Sequence, residues 1–161
     1  MTPASGCGLP RVGAFLQSPA ALGQAGAIAA VAHAVWVDVR EVIRTFNGYP
    51  SALSFGDDVF EAYVGDGYLA HNPRTQLGPT LQRQLGQVVG AVGSTPSARL
   101  GVDCGDGAAV TLIEDLYRAG FRAFSIPAPA SAGMRLALGQ FATTMAAATA
   151  PTTTSGGDRH G

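Results

Sequence analysis

The sequence predicts an α/β fold of about four βα units of parallel sheet, half of an eight-stranded (β/α)8 barrel, with a disordered C-terminal tail. Three observations carry this. Short β-branched or apolar runs alternate with longer segments of helical periodicity, the pattern of a parallel sheet with helices packed on it. The connections are short apart from one excursion at 47–78. The 161 residues, 47% of them hydrophobic, allow one domain with a core of its own. A half barrel has two open sheet edges. The expectation is therefore a homo-oligomer, or a partner that brings the missing half.

Residues 1–10 are rich in Gly, Pro and Ser and read as a flexible N-terminus, with the domain proper over 11–142. Val12–Gln17 is an apolar run of strand length. Pro19 suits the first turn of a helix, where a missing N–H costs nothing, and the Ala-rich Ala20–Ala34 reads as that helix. Val35–Val39 is a buried strand, and Glu41–Phe46 a short helix or a continuation of the strand loop. Asn47–Pro50 is a turn, and 51–73 an acidic and aromatic excursion closed by His71-Asn72-Pro73. Pro79–Val92 is a helix with Leu81, Leu85, Val88, Val89 and Val92 in one stripe. Arg99–Cys104 is the third strand. Ala109–Ala119 is a helix with Val110, Ile113, Leu116 and Tyr117 on one face, stopped by Gly120. Phe121–Ile126 is the last strand and Ala130–Ala142 the last helix, with Met134, Leu138 and Phe141 inward. From Thr143 to Gly161 the composition is low-complexity and reads as disordered.

The formal net charge of −1 gives no electrostatic footprint for nucleic acid or an anionic membrane. All ten basic residues are Arg, which excludes a Schiff-base or P-loop lysine. Cys7 and Cys104 make no metal-ligand spacing and read as two free thiols. No basic segment leads into an apolar core at the N-terminus, and Ala25–Val39 is too short to span a bilayer. A cytoplasmic domain is the expectation.

Several segments, in collinear order from about Arg11 to Gln140, resemble the end of the phosphoenolpyruvate-binding barrel of the PEP-utilising enzymes. That family includes pyruvate phosphate dikinase, PEP synthase and enzyme I of the sugar phosphotransferase system. VGAFLQSPAAL resembles the family's VGxMIExPxAA, whose Glu binds magnesium, and Gln17 stands at that Glu. An ungapped count from there places VDVRE, Val37–Glu41, on the family's GTND, so Glu41 stands at the second metal ligand and Arg40 at its neighbouring Asn. GYLAHNPRTQL resembles GILxxDPFxVL. LGVDCGDG resembles LGxCGExxG, with Asp103 at the catalytic Cys and Cys104 one residue later. FRAFSIPA and MRLALGQ resemble the last strand and the helix after it.

The resemblance implies a PEP/pyruvate phosphotransferase-like domain using Mg²⁺, with PEP or pyruvate as ligand. It also implies that the chemistry is impaired. Gln17 has lost the charge that a hard cation prefers, and Arg40 puts a cation beside the expected metal. Cys104 would point the wrong way unless the strand end is bulged. The metal candidates are Gln17, Glu41 and Asp38, and the catalytic candidates Asp103 and Cys104, all near the C-terminal ends of strands. Set against this, the same acids read as loop carboxylates and helix caps, Asp106 among them. His33 reads as a surface or core-edge residue of an Ala-rich helix, His71 as bonding within its turn, and Arg74 and Arg83 as solvated helix charges. Asp57, Asp58 and Glu61 read as a surface acidic turn. The leading expectation is a divergent half barrel acting by association, and the alternative an active Mg²⁺-dependent phosphotransferase built from assembled halves.

Overall fold

The computed structural model describes residues 11–49, 57–105 and 109–149. Cys7, Asp106 and His160 lie outside them. Four strands, β1 (Gly13–Leu16), β2 (Ala34–Asp38), β3 (Arg99–Asp103) and β4 (Phe124–Ser125), form one sheet in sequential order with every neighbour parallel. Helices α1 (Pro19–Gly23) and α2 (Ala25–Ala29) connect β1 to β2. Helices α3 (Val39–Phe46), α4 (Asp57–Gly65) and α5 (Pro79–Gly93) lie between β2 and β3. Helix α6 (Val110–Ala119) leads to β4, and α7 (Ser131–Thr149) follows it. The mixed α/β class with parallel strands is therefore as read from the sequence. Among the described residues no helix is long and apolar enough to cross a membrane.

Strand alternation sorts the sheet into two unlike faces. Leu16, Val35, Val37, Val102 and Cys104 are buried in one core with Leu22, Leu81, Leu85, Val88, Ile113 and Leu116 from the helices. On the other face the register aligns Gly13, Ala34 and Arg99 in one row and Phe15, Trp36 and Gly101 in the next. Phe15 is 59% exposed there. The indole of Trp36 lies on Gly101 so closely that a Cβ at that position would sit 2.6 Å from Cζ3.

The helix expected over Ala20–Ala34 is two short ones, broken at Gln24, whose N–H bonds back to Ala21 and Leu22. Gly23 and Gly26 flank the break and weaken a continuous helix there. The gain is close packing: Ala25 and Ala29 are fully buried, and a Cβ on Gly26 would meet Ala91 of α5 at 3.6 Å. His33 is thereby not helical; its N–H donates to Val12 O at 2.8 Å, ahead of β2.

Helix α5 buries Leu81, Leu85, Val88 and Val92 as its stripe predicts. Helix α6 is rotated from its expected face: Leu112, Ile113, Asp115 and Leu116 are buried, and Val110 is 40% exposed. Asp115 goes inward because its Oδ2 accepts the backbone N–H of Leu77 at 3.0 Å. Gly120, at φ +110°, ends α6, with Gly120 N–H on Tyr117 O at 3.0 Å and Phe121 N–H on Leu116 O at 3.1 Å. This is a Schellman cap with Phe121 as its apolar closing residue, so Phe121 does not start a strand and β4 keeps only Phe124–Ser125.

The excursion at 51–73 contains α4, so Glu61 stands on a helix and not in a turn. Tyr49 packs edge-on to Phe60 at 5.0 Å and stacks on Tyr63 at 5.7 Å, a small aromatic cluster of its own. Buried Asn72, rather than His71, organises the turn: Nδ2 donates to Glu61 Oε1 at 2.7 Å and Oδ1 accepts Arg74 N–H at 2.9 Å. Beyond Ala142 the chain does not lose structure at Thr143. Helix α7 continues to Thr149, where alanines favour helix and the hydroxyls of Thr143 and Thr144 bond back to Gly139 O and Gln140 O. The rest of the expected disordered tail, 150–161, lies outside the described residues.

Candidate functional site

A third row crosses the open face at the C-terminal ends of the strands. The register aligns Asp38, Asp103 and Ser125, and Gln17 joins them by donating from Nε2 to Asp38 Oδ2 at 3.1 Å. The row is polar throughout, whereas the row beneath it is Phe15, Trp36 and Gly101.

Each side chain is held by a local device. Gln17 follows β1 directly, and its carbonyl accepts from Thr45 Oγ1 at 3.2 Å, tying it to α3. Asp38 ends β2 and is the N-cap of α3, its Oδ1 accepting Glu41 N–H at 3.0 Å. One carboxylate thus bonds both a helix terminus and Gln17. Asp103 ends β3, and its Oδ1 accepts Gly105 N–H at 3.2 Å, which turns the chain at a φ of +59°. Arg40 lies against that turn, with Cδ 3.1 Å from where a Gly105 Cβ would be.

The other two sequence candidates do not join the row. Glu41 forms a two-oxygen ion pair with Arg44, one turn along α3. That hydrogen bonding holds its carboxyl below the usual carboxylate range, with the charges of Arg44 and Arg40 adding to it. Cys104 faces the helix layer, is 2% exposed, and has its thiol pushed up to about 12 by burial, helped by the charge of Asp103. At neutral pH it is a protonated thiol in the core, with little thiolate to act as a nucleophile. Ser125 was not singled out in the sequence, although alternation from buried-side Phe124 puts it on the open face with Asp103.

The fit of Mg²⁺ rests on the donor set. Asp38, Asp103 and the amide oxygen of Gln17 are hard oxygen ligands, and Mg²⁺ is held by one or two carboxylates completed by water and substrate. Glu41 is committed to Arg44. Among the described residues no group of three or more His, Cys, Asp or Glu side chains is placed to hold a metal ion. The row therefore suits a cation shared with a bound anionic ligand better than a closed protein cage.

The chain matches no protein-family model and no curated protein.

Proposed function

We propose that this chain is a divergent half of a barrel of the PEP-utilising type and that it works by association, with a second copy or a partner half covering the open sheet face. The observation that carries this is the face itself. Four sequential parallel strands are packed by helices on one side, and their other side carries Phe15, 59% exposed, beside Trp36 and Gly101. An apolar row on a sheet is normally covered, and in a complete barrel it is the interior layer. The segments quoted above run in the same order as that family's strands and helices. Sedimentation equilibrium across a concentration series tests the reading, with the emission of Trp36, the single tryptophan, as a second readout. Association with a blue shift of Trp36 is expected. A stable monomer at micromolar concentration, with Trp36 emission independent of concentration, overturns it.

The polar row favours a second reading, an active Mg²⁺-dependent phosphotransferase on PEP or pyruvate formed by assembled halves. In it Asp38 and Asp103 hold the cation, which would polarise an enolate oxygen of the substrate. Calorimetric titration with PEP, with and without Mg²⁺, tests this. Metal-dependent binding that Asp103→Asn abolishes and Glu41→Gln leaves intact supports it. No heat from a folded sample leaves the association reading alone.

A further inference from the structure

At the opposite end of the sheet from the polar row, the three N-terminal strand ends border an open cleft of about 450 Å³ lined by the exposed Arg11, His33, Ser97 and Arg99 over a floor of Gly13 and Ala34. We infer that this cleft is a binding site for a small organic phosphate, gripped by Arg11 and Arg99.

The backbone builds it. Val12 O accepts His33 N–H at 2.8 Å, and His33 O accepts Arg99 N–H at 3.1 Å, so the three segments meet in register ahead of the sheet. Arg99 is aligned with Ala34 and Gly13 on the open face, and Arg11, two residues before Gly13, falls on that same side. Gly13 and Ala34 leave the space between the arginines open. The imidazole Nδ1 of His33 accepts Val12 N–H at 3.4 Å.

The chemistry selects an anion. No Asp or Glu lines the cleft, and among the described residues neither Arg11 nor Arg99 has an ion-pair partner. Arg44 and Arg118, in contrast, each have a carboxylate. Two guanidinium forks and the Ser97 hydroxyl supply more donors than a single carboxylate can use. They suit the several oxygens of a phosphate, for which planar bidentate Arg is the common partner. The volume lies within the range of small-molecule pockets and exceeds the need of a bare ion. Strand β2 separates the cleft from Asp38 by about 13 Å, so the two ends of the sheet bind independently. The cleft is built from one chain's residues and lies at the N-terminal rim of the face that the proposed function would cover.

The test is titration of the folded chain with pyrophosphate, read by Trp36 emission one row along the same face and by the His33 ring resonances. Saturable binding in the sub-millimolar range is expected. Arg99→Gln and Arg11→Gln should each weaken it about tenfold or more, since hydrogen bonds to charged groups are being removed. Arg83→Gln, an exposed arginine on α5, should leave it unchanged. Citrate should bind more weakly than pyrophosphate. Equal loss in the Arg83 variant, equally tight citrate, or no binding by protein whose unfolding transition is intact would each overturn the assignment.

Discussion

Replacing Asp115 with alanine removes the acceptor that fixes the approach to α5 onto α6. Leu77 is 4% exposed and its N–H has Asp115 Oδ2 as partner at 3.0 Å, across 38 residues of chain. Losing that acceptor strands a buried donor and forfeits a hydrogen bond to a charged group, about 2–3 kcal/mol. The ion pair to Arg118 adds little, because that arginine is 43% exposed and such pairs contribute about 0–1 kcal/mol. Asp115→Ala should therefore lose about 3 kcal/mol in urea unfolding, and about 6–12 °C in Tm for a domain of this size. Asp115→Asn keeps an oxygen for Leu77 and should lose about 1 kcal/mol; Arg118→Gln should lose no more than that. A loss below about 0.5 kcal/mol for Asp115→Ala, or an equal loss for the Asn variant, would refute an argument based on the acceptor.

Gly101→Ala forces the Trp36 indole off the strand and should cost about 1–3 kcal/mol, with a red shift of Trp36 emission; unchanged emission would mean that the ring does not rest on Gly101. Gly120→Ala places a side chain at φ +110° with its Cβ 2.8 Å from Val89 Cγ1, and should cost about 2–3 kcal/mol; an unchanged urea midpoint would count against the left-handed cap. Cys104 should resist thiol reagents at pH 8 until the chain unfolds. Because its folded value of about 12 exceeds its ordinary 9.0, its contribution to stability is constant below pH 9 and declines as pH rises from there to about 12. Comparison of the alkaline unfolding curve with that of Cys104→Ala would reveal the difference.

The first three strands and α5 were legible because their periods are short-range properties. A β-branched run such as Val35–Val39 has one reading, and so does a stripe at 3.6 spacing. Two of the misreadings came from partners far along the chain. Nothing near Asp115 says that Leu77 N–H needs an acceptor, so apolar periodicity turned α6 toward Val110 and Tyr117 instead. His33 looked helical among alanines because the bond to Val12 O that draws it out of the helix is non-local. Alanine and threonine after Ala142 read as low complexity, although alanine is the best helix former and α7 runs on to Thr149. In the candidate site, the sequence put Gln17, Asp38, Glu41 and Asp103 near the strand ends, and only the register aligns Gln17, Asp38 and Asp103 in one row. Which carboxylates were already engaged was invisible, since Glu41 and Arg44 on one helix turn look like any solvated pair.

The sheet has two ends that are not equivalent. Gly13–Leu16 bounds one side over four residues, and Phe124–Ser125 the other over two. Because every strand runs the same way, growth that keeps the strands parallel must join the β1 side of one molecule to the β4 side of another. Each molecule then has one male and one female side. Two such junctions close a ring if each sheet supplies half a circle of curvature, and a mismatch in curvature propagates instead into a fibre. A substitution that flattens β4 would act on that choice without touching any ligand, and electron micrographs would distinguish discrete rings from filaments.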